Sequence, residues 1–338
     1  MLGSEAFREG IKAGDIVRYA AIGAALMASV QVVLGVAGSV ELGTLFKLAP
    51  AIALSYALTM LLYALKGVRF YILTRNLSDL RISFKHAALV RVASELFSLV
   101  SISFLGDELF RVYYLRRRGV DAGRSVLISY YEVFVEVVTA ASIVLIGAAY
   151  LLLRGFEPGI MHVVVAASAA TLTFHLLLIL GAARLGELAK AAAGKALSGA
   201  PRNLLDRVTR LIDDYVIGFG SESRALLSNI RLTGSMIGLT YLAAAVTGST
   251  LYVIACQLGI PMNLLEATLV TYMSLALSAI PVTVCGSGVM ELTILVCSCE
   301  FAGYVPWALP IAYRISSYFL PLITTGVLLC IAVEMGMT

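Results

Sequence analysis

The sequence predicts an all-α integral membrane protein, with about six full transmembrane helices plus two broken re-entrant helical hairpins arranged as inverted repeats. Three observations carry this expectation. The chain is 60% hydrophobic and only 14% charged, with a mean hydropathy of +0.92, whereas about a quarter of the residues in a soluble domain are charged. Charge-free runs cover residues 19–40, 48–65, 137–153, 158–183, 232–265 and 315–333. Most approach or exceed the roughly 20 residues that cross about 30 Å of hydrocarbon as a helix. A third pattern, an apolar helix followed by a Gly-containing break and an acidic helix start, occurs twice about 183 residues apart, as ISFLGDELFR at 102–111 and IPVTVCGSGVME at 280–291. At this offset Glu108 coincides with Glu291, and Ile128-Ser129-Tyr130 with Ile311-Ala312-Tyr313.

The cations order these elements across the bilayer. Arg8, Lys12 and Arg18 precede the first span, while Lys66, Arg69, Arg75, Arg81 and Lys85 follow the second. Both groups are expected in the cytoplasm, because cytoplasmic loops concentrate Lys and Arg. The first run is too long for the apolar core of a secretory leader and is expected to stay as an anchor. A full crossing by residues 86–104 would export Arg111, Arg116, Arg117, Arg118 and Arg124. A hairpin near 86–118 that breaks at Ser103–Gly106 keeps them inside. Residues 125–153 then exit, 159–182 return, 232–258 exit, and a second hairpin near 264–301 enters from the opposite face. Residues 307–333 bring the C-terminus back to the cytoplasm beside the N-terminus. Only Lys47 and Arg154 are left outside, against twenty-one cations inside. Hairpins entering from opposite faces are the mark of inverted repeats.

This divides the chain into a first membrane half at 1–183, a cytoplasmic segment at 184–231 and a second membrane half at 232–338. The middle segment is too charged to span. Leu204, Val208, Leu211 and Tyr215, with Leu205, Ile212, Val216 and Phe219, recur at helical spacing opposite Arg202, Asp206, Arg207, Arg210, Asp213 and Asp214. That is an amphipathic helix expected at the membrane interface. The acidic pair in it reads as solvated. The five cysteines lie in or beside apolar segments without metal or redox spacing, and read as buried inert thiols.

Ionisable residues inside a membrane cost roughly 2.5–3.5 kcal/mol each on insertion scales, so they mark function or a compensating partner. They are Arg91, Glu95, Glu108, Arg111, Glu132, Glu136, Glu291 and Arg314. Arg91–Glu95 and Glu108–Arg111 are spaced to pair on one helix face. Glu132 and Glu136 form a like-charge pair that an arginine, a proton or a substrate must relieve, which leaves proton coupling open to them. Half-helices starting near Gly106 and Gly288 direct free N–H groups and a positive dipole end into the membrane, which suits an anionic group such as lipid phosphate. Asp107, Glu108 and Glu291 can equally cap those starts. A phosphate-loop, zincin or nucleophile-elbow motif is absent from the sequence, the histidines are scattered, and neither a metal nor a cofactor is expected.

In these motifs the chain resembles the flippase-like, or lysylphosphatidylglycerol synthase transmembrane-region, family. The run Gly106-Asp107-Glu108-Leu109-Phe110-Arg111-Val112-Tyr113-Tyr114-Leu115 is similar to the family's G-x-E-x-x-R-x-Y-x-L. Pro281, Gly286, Gly288 and Glu291, with Tyr313-Arg314 and Tyr318, match in the second half. Ser103 stands where the family often has proline, Val284-Cys285-Gly286 where it has Pro-Gly-Gly, and Val133 where it has arginine. The resemblance implies translocation, across the cell membrane, of a polar-headed or isoprenoid-linked lipid made by a separate enzyme. Arg111 and Arg314 are then expected to neutralise its phosphate, with Glu108, Glu291, Gly106, Gly288 and Tyr313 lining the path. An intramembrane lipid-modifying enzyme and a non-transporting partner subunit are the alternatives; a nucleic-acid partner is not expected.

Overall fold

The computed structural model describes residues 13–101, 106–155, 159–196, 202–217, 229–278 and 285–334, with positions 219, 223 and 226 between them. The described residues are helical throughout, joined by turns. In chain order the helices are α1 (Ala13–Ala37), α2 (Leu42–Lys47), α3 (Ala49–Leu77), α4 (Phe84–Val100), α5 (Gly106–Arg117), α6 (Ala122–Leu153), α7 (Met161–Ala196), α8 (Arg202–Ile212), α9 (Ile230–Gln257), α10 (Leu264–Ser278), α11 (Val289–Ala302) and α12 (Ala308–Glu334). Helices α3, α6, α7, α9 and α12 are each long and apolar enough to cross a bilayer.

The molecule is oily outside and charged within. Val33, Phe46, Ile146, Leu153, Leu177, Leu242 and Ile323 are exposed, while Arg69, Arg91, Glu95, Asp107, Arg111, Glu132, Glu291 and Arg314 are buried. A lipid-facing surface requires this inversion, because charges survive inside hydrocarbon only when turned toward one another. The chain is an all-α membrane protein.

The duplication seen in the sequence is visible in the packing. Helices α3 to α6 correspond to α9 to α12. Helix α3 packs against its counterpart α9, α4 packs on α3 and α5, and α10 packs on α9 and α11. Helix α4 also packs on α12, the last helix of the other half, just as α10 packs on α6. One apolar core accordingly joins Leu96 and Leu99 of α4 to Tyr318, Leu322 and Leu329 of α12. The other joins Val144 and Leu151 of α6 to Leu269, Met273 and Leu277 of α10.

The short paired helices α4–α5 and α10–α11 are the two expected broken units, with their breaks where glycine permits close approach. A Cβ on Gly106 would lie 2.3 Å from the Phe97 carbonyl oxygen, so only glycine lets α5 start against α4. At the second break Gly286 and Gly288 have φ of +65° and +85°, a region glycine enters without steric cost. Cys285 enters it too, at φ +48°, and the N–H of this strained residue donates to the Ser101 carbonyl at 3.1 Å. The two breaks therefore touch. Ser103, Pro281 and Val284 lie outside the described residues.

Three expectations need correction. Helix α7 does not stop at residue 183 but continues to Ala196, because the stretch from Leu185 to Ala196 is rich in Ala, Leu, Glu and Lys, all strong helix formers. The amphipathic segment is docked rather than merely surface-lying: α8 and the π-helical turn Asp213–Ile217 pack on α7, and that turn also packs on α6. Lys190 binds Asp213 at 2.5 Å, a hydrogen bond that raises the lysine pKa. Of the five thiols, Cys285 and Cys297 are buried but Cys256 is exposed.

Candidate functional site

The first buried cluster is centred on Glu132 of α6. Its two carboxylate oxygens accept from three guanidiniums: Arg69 Nη2 at 3.0 Å, Arg91 Nε at 3.2 Å, and Arg111 Nη1. Glu136, one turn on, bonds Arg69. Arg91 also bonds Glu95 and reaches Asp107 at 3.2 Å. Lys66 closes on Glu95 at 2.9 Å, and Arg69 Nη1 donates to Thr240 Oγ1 of α9 at 2.9 Å. Arg111 Nη2 is shared by Asp107 at 3.3 Å and Glu108 at 3.5 Å. Isolated buried charges cost several kcal/mol, so a mutually bonded set is the form in which they persist. Four cations face five carboxylates.

The second cluster is smaller. Glu291, in the first turn of α11, caps it by accepting from the Gly288 N–H at 2.7 Å. Its other oxygen accepts from Arg314 Nε and from Gln31 Nε2 of α1, each at 2.8 Å. Arg314 Nη2 also donates to the Cys285 and Gly286 carbonyls at 3.2 and 3.3 Å, so it satisfies the unpaired backbone of the break. The helix widens to a π-turn at Ile315–Phe319 directly after Arg314, a distortion that frequently marks functional positions. Both hairpins are thus tied to the following long helix by a buried ion pair of opposite polarity: Arg111 to Glu132 in the first half, Glu291 to Arg314 in the second.

Between the clusters lies a cavity of about 1510 Å³, lined from both halves. Its charged wall holds Lys66, Arg69, Arg91, Glu95, Asp107, Glu108, Glu136 and Arg314. Tyr63, Tyr113, Tyr130, Tyr272 and Tyr313 line it as well, and Leu62, Val137, Ala140, Ala243 and Ala276 supply apolar wall. Tyr215 of the docked segment lines it too, as do Arg116 and Arg117 of α5.

Of the expected site residues, Glu108, Glu136, Tyr313 and Arg314 line this cavity. Glu132, Glu291, Gly106, Gly288 and Arg111 do not. Arg111 is 1% exposed and engaged by three carboxylates, of which Glu132 links α5 to α6. Glu132 and Glu136 are relieved by arginine, the first of the three options open to them. Sequence reasoning missed Gln31, took Asp107 only as a candidate helix cap, and counted Lys66 and Arg69 as loop cations. Both sit within α3 and inside the network. The signal was the recurrence of Thr59, Tyr63, Lys66 and Arg69 at helical spacing, a polar stripe continuous with an apolar span.

Against known protein families, residues 17–324 match the lysylphosphatidylglycerol synthase TM region. No curated protein matches the chain significantly. The matched span contains both breaks, both ion clusters and every residue that lines the cavity, and the chain belongs to the lysylphosphatidylglycerol synthase TM region family.

Proposed function

We propose that this membrane protein translocates a polar-headed lipid between leaflets, carrying the headgroup through the cavity while the acyl chains stay in the bilayer. The observation that carries the reading is the cavity itself. A space of about 1510 Å³, lined by charged and hydroxyl side chains together with apolar ones, is larger than the usual small-molecule pocket of roughly 300–1,000 Å³. Its mixed lining suits an amphiphile. The paired breaks, one from each half and bonded through Cys285 and Ser101, supply the kind of discontinuous midplane structure on which transporters of inverted-repeat design are built.

In this reading the protein sits in the cell membrane with both termini in the cytoplasm, and the Arg116, Arg117 and Tyr215 end of the cavity opens there. Transport rather than chemistry is proposed, since the cavity's carboxylates are held by arginines and lysine instead of being poised beside a nucleophile. The fifth carboxylate leaves the first cluster one negative charge in excess, which offers a proton a place at Glu108.

Filling the cavity tests this. Ala140→Trp on α6 and Ala276→Trp on α10, both lining the cavity, should each abolish movement of a headgroup-labelled lipid in proteoliposomes while leaving the protein monodisperse in detergent. Undiminished movement in both well-folded variants would place the path elsewhere.

A further inference from the structure

Helices α1 and α7 hold equivalent places in the two halves. Helix α1 packs on α12 and α4, and α7 packs on their counterparts α6 and α10. The seam between α1 and α11 therefore corresponds to the seam between α7 and α5. The two seams differ. Gln31 Nε2 of α1 donates to Glu291 Oε1 of α11 at 2.8 Å, and the Ser287 hydroxyl at the break donates to the Met27 sulfur of α1 at 3.5 Å. Met27 and Glu291 are fully buried there. At the other seam the cavity reaches the lipid-facing surface, since Leu109 of α5 and Phe174 of α7 both line it and are 71% and 57% exposed. Glu108, the counterpart of Glu291, bonds Arg111 of its own helix at 3.5 Å. Its side chain is 23% exposed, where that of Glu291 is 0%.

One framework present twice, with one seam open and its equivalent shut, has a second arrangement built from the same contacts in which the two exchange. Whatever holds the shut seam must then be breakable without dismantling the ion clusters. Gln31 meets that requirement. Arg314 and the Gly288 N–H keep Glu291 bonded to α12 and α11, so releasing the neutral Gln31 frees α1 and leaves the ion pair intact. We propose that α1 is a gate and Gln31 its latch: the α1–α11 seam opens as the α5–α7 seam closes. In inverted repeats the two seams face opposite leaflets, so the cavity meets one leaflet at a time. Only the purpose of the gate rests on the translocation reading.

Spin-label distances test the gate without transport. The full chain is placed in lipid nanodiscs with Cys256, Cys299 and Cys330, the thiols that are not buried, replaced by alanine. One label pair, V33C/L292C, spans the α1–α11 seam and another, L109C/L177C, the α5–α7 seam; all four positions are exposed. Gln31→Leu removes the donor at similar volume. It should raise the population with a long α1–α11 distance about tenfold, the order expected for loss of a hydrogen bond to a charged group. The α5–α7 distance should shorten in the same fraction of molecules. Unchanged distances at both seams, or a longer α1–α11 distance with α5–α7 unaltered, overturns the proposal and leaves Gln31 a packing contact. Should Q31L fail to fold, the M27C/S287C variant decides. Bridging its thiols with a short cleavable crosslinker should stop lipid movement reversibly, and movement at the unbridged rate would refute the gate. Reciprocal distances without any lipid movement by wild type would keep the gate and remove the translocation reading instead.

Discussion

Replacing Glu132 by Gln should destabilise the protein far more than the same change one turn away at Glu136. Glu132 is 1% exposed and is the shared acceptor of Arg69, Arg91 and Arg111. Its neutralisation leaves Arg111 with the more distant Asp107 and Glu108, and leaves Arg91 to Glu95 and Asp107. Removing one member of a buried ion network costs about 3–5 kcal/mol, because the surviving charges stay buried without compensation. Glu136 bonds Arg69 alone and its side chain is 37% exposed, so water can replace part of what is lost and the cost should be about 1–2 kcal/mol. Thermal unfolding in one detergent, followed by loss of the monodisperse peak, compares the two. An E136Q variant as unstable as E132Q, or an E132Q variant matching wild type, would refute Glu132 as the centre of the network.

Other consequences follow from the same geometry. Gly106→Ala should cost at least about 1–3 kcal/mol through overpacking against the Phe97 carbonyl, read as a lower unfolding temperature or failure to accumulate; a fully stable variant would mean that α4 and α5 are less closely apposed. Glu291→Gln keeps an acceptor for Gly288 N–H but loses the charge that Arg314 faces, so it should be markedly less stable than wild type, and adding Arg314→Gln should restore part of the loss; independent effects of the two changes would deny the pair. Ser101→Cys, with the other native thiols replaced, should form a disulfide with Cys285 under mild oxidation, since the two backbones are hydrogen-bonded. Lipid movement by wild type should vary with pH and that by Glu108→Gln should vary less; an unchanged pH profile in the variant would remove Glu108 as the place of the proton.

Much of this architecture was legible because membrane insertion constrains sequence strongly. Long charge-free runs mark the spans, and the Gly-containing breaks mark the two short helix pairs α4–α5 and α10–α11. The duplicated break survives as a spacing, so Glu108 and Glu291 could be aligned without coordinates. The partners could not, since Arg91 meets Glu132 across 41 residues and Gln31 meets Glu291 across 260. No local periodicity encodes such pairings. Lys66 and Arg69 were obscured for a different reason: a cation just beyond an apolar run looks like a loop, although α3 continues to Leu77 and carries both into the interior. The expectation that Arg111 neutralises phosphate came from its charge and its place in the family motif; the three carboxylates that engage it lie 4 residues before, 3 residues before and 21 residues after it, and only the first two are at helical spacing.

The most direct test of the central claim is lipid movement by the purified protein alone. Proteoliposomes holding a headgroup-labelled lipid in both leaflets are treated with a membrane-impermeant quencher. Translocation predicts that signal falls well below the protected inner-leaflet level of protein-free vesicles, and that the extra loss disappears with Ala140→Trp. Signal that stays at the protein-free level for labelled glycerol, sugar and choline headgroups alike, with the protein shown to be folded and inserted, would contradict the account.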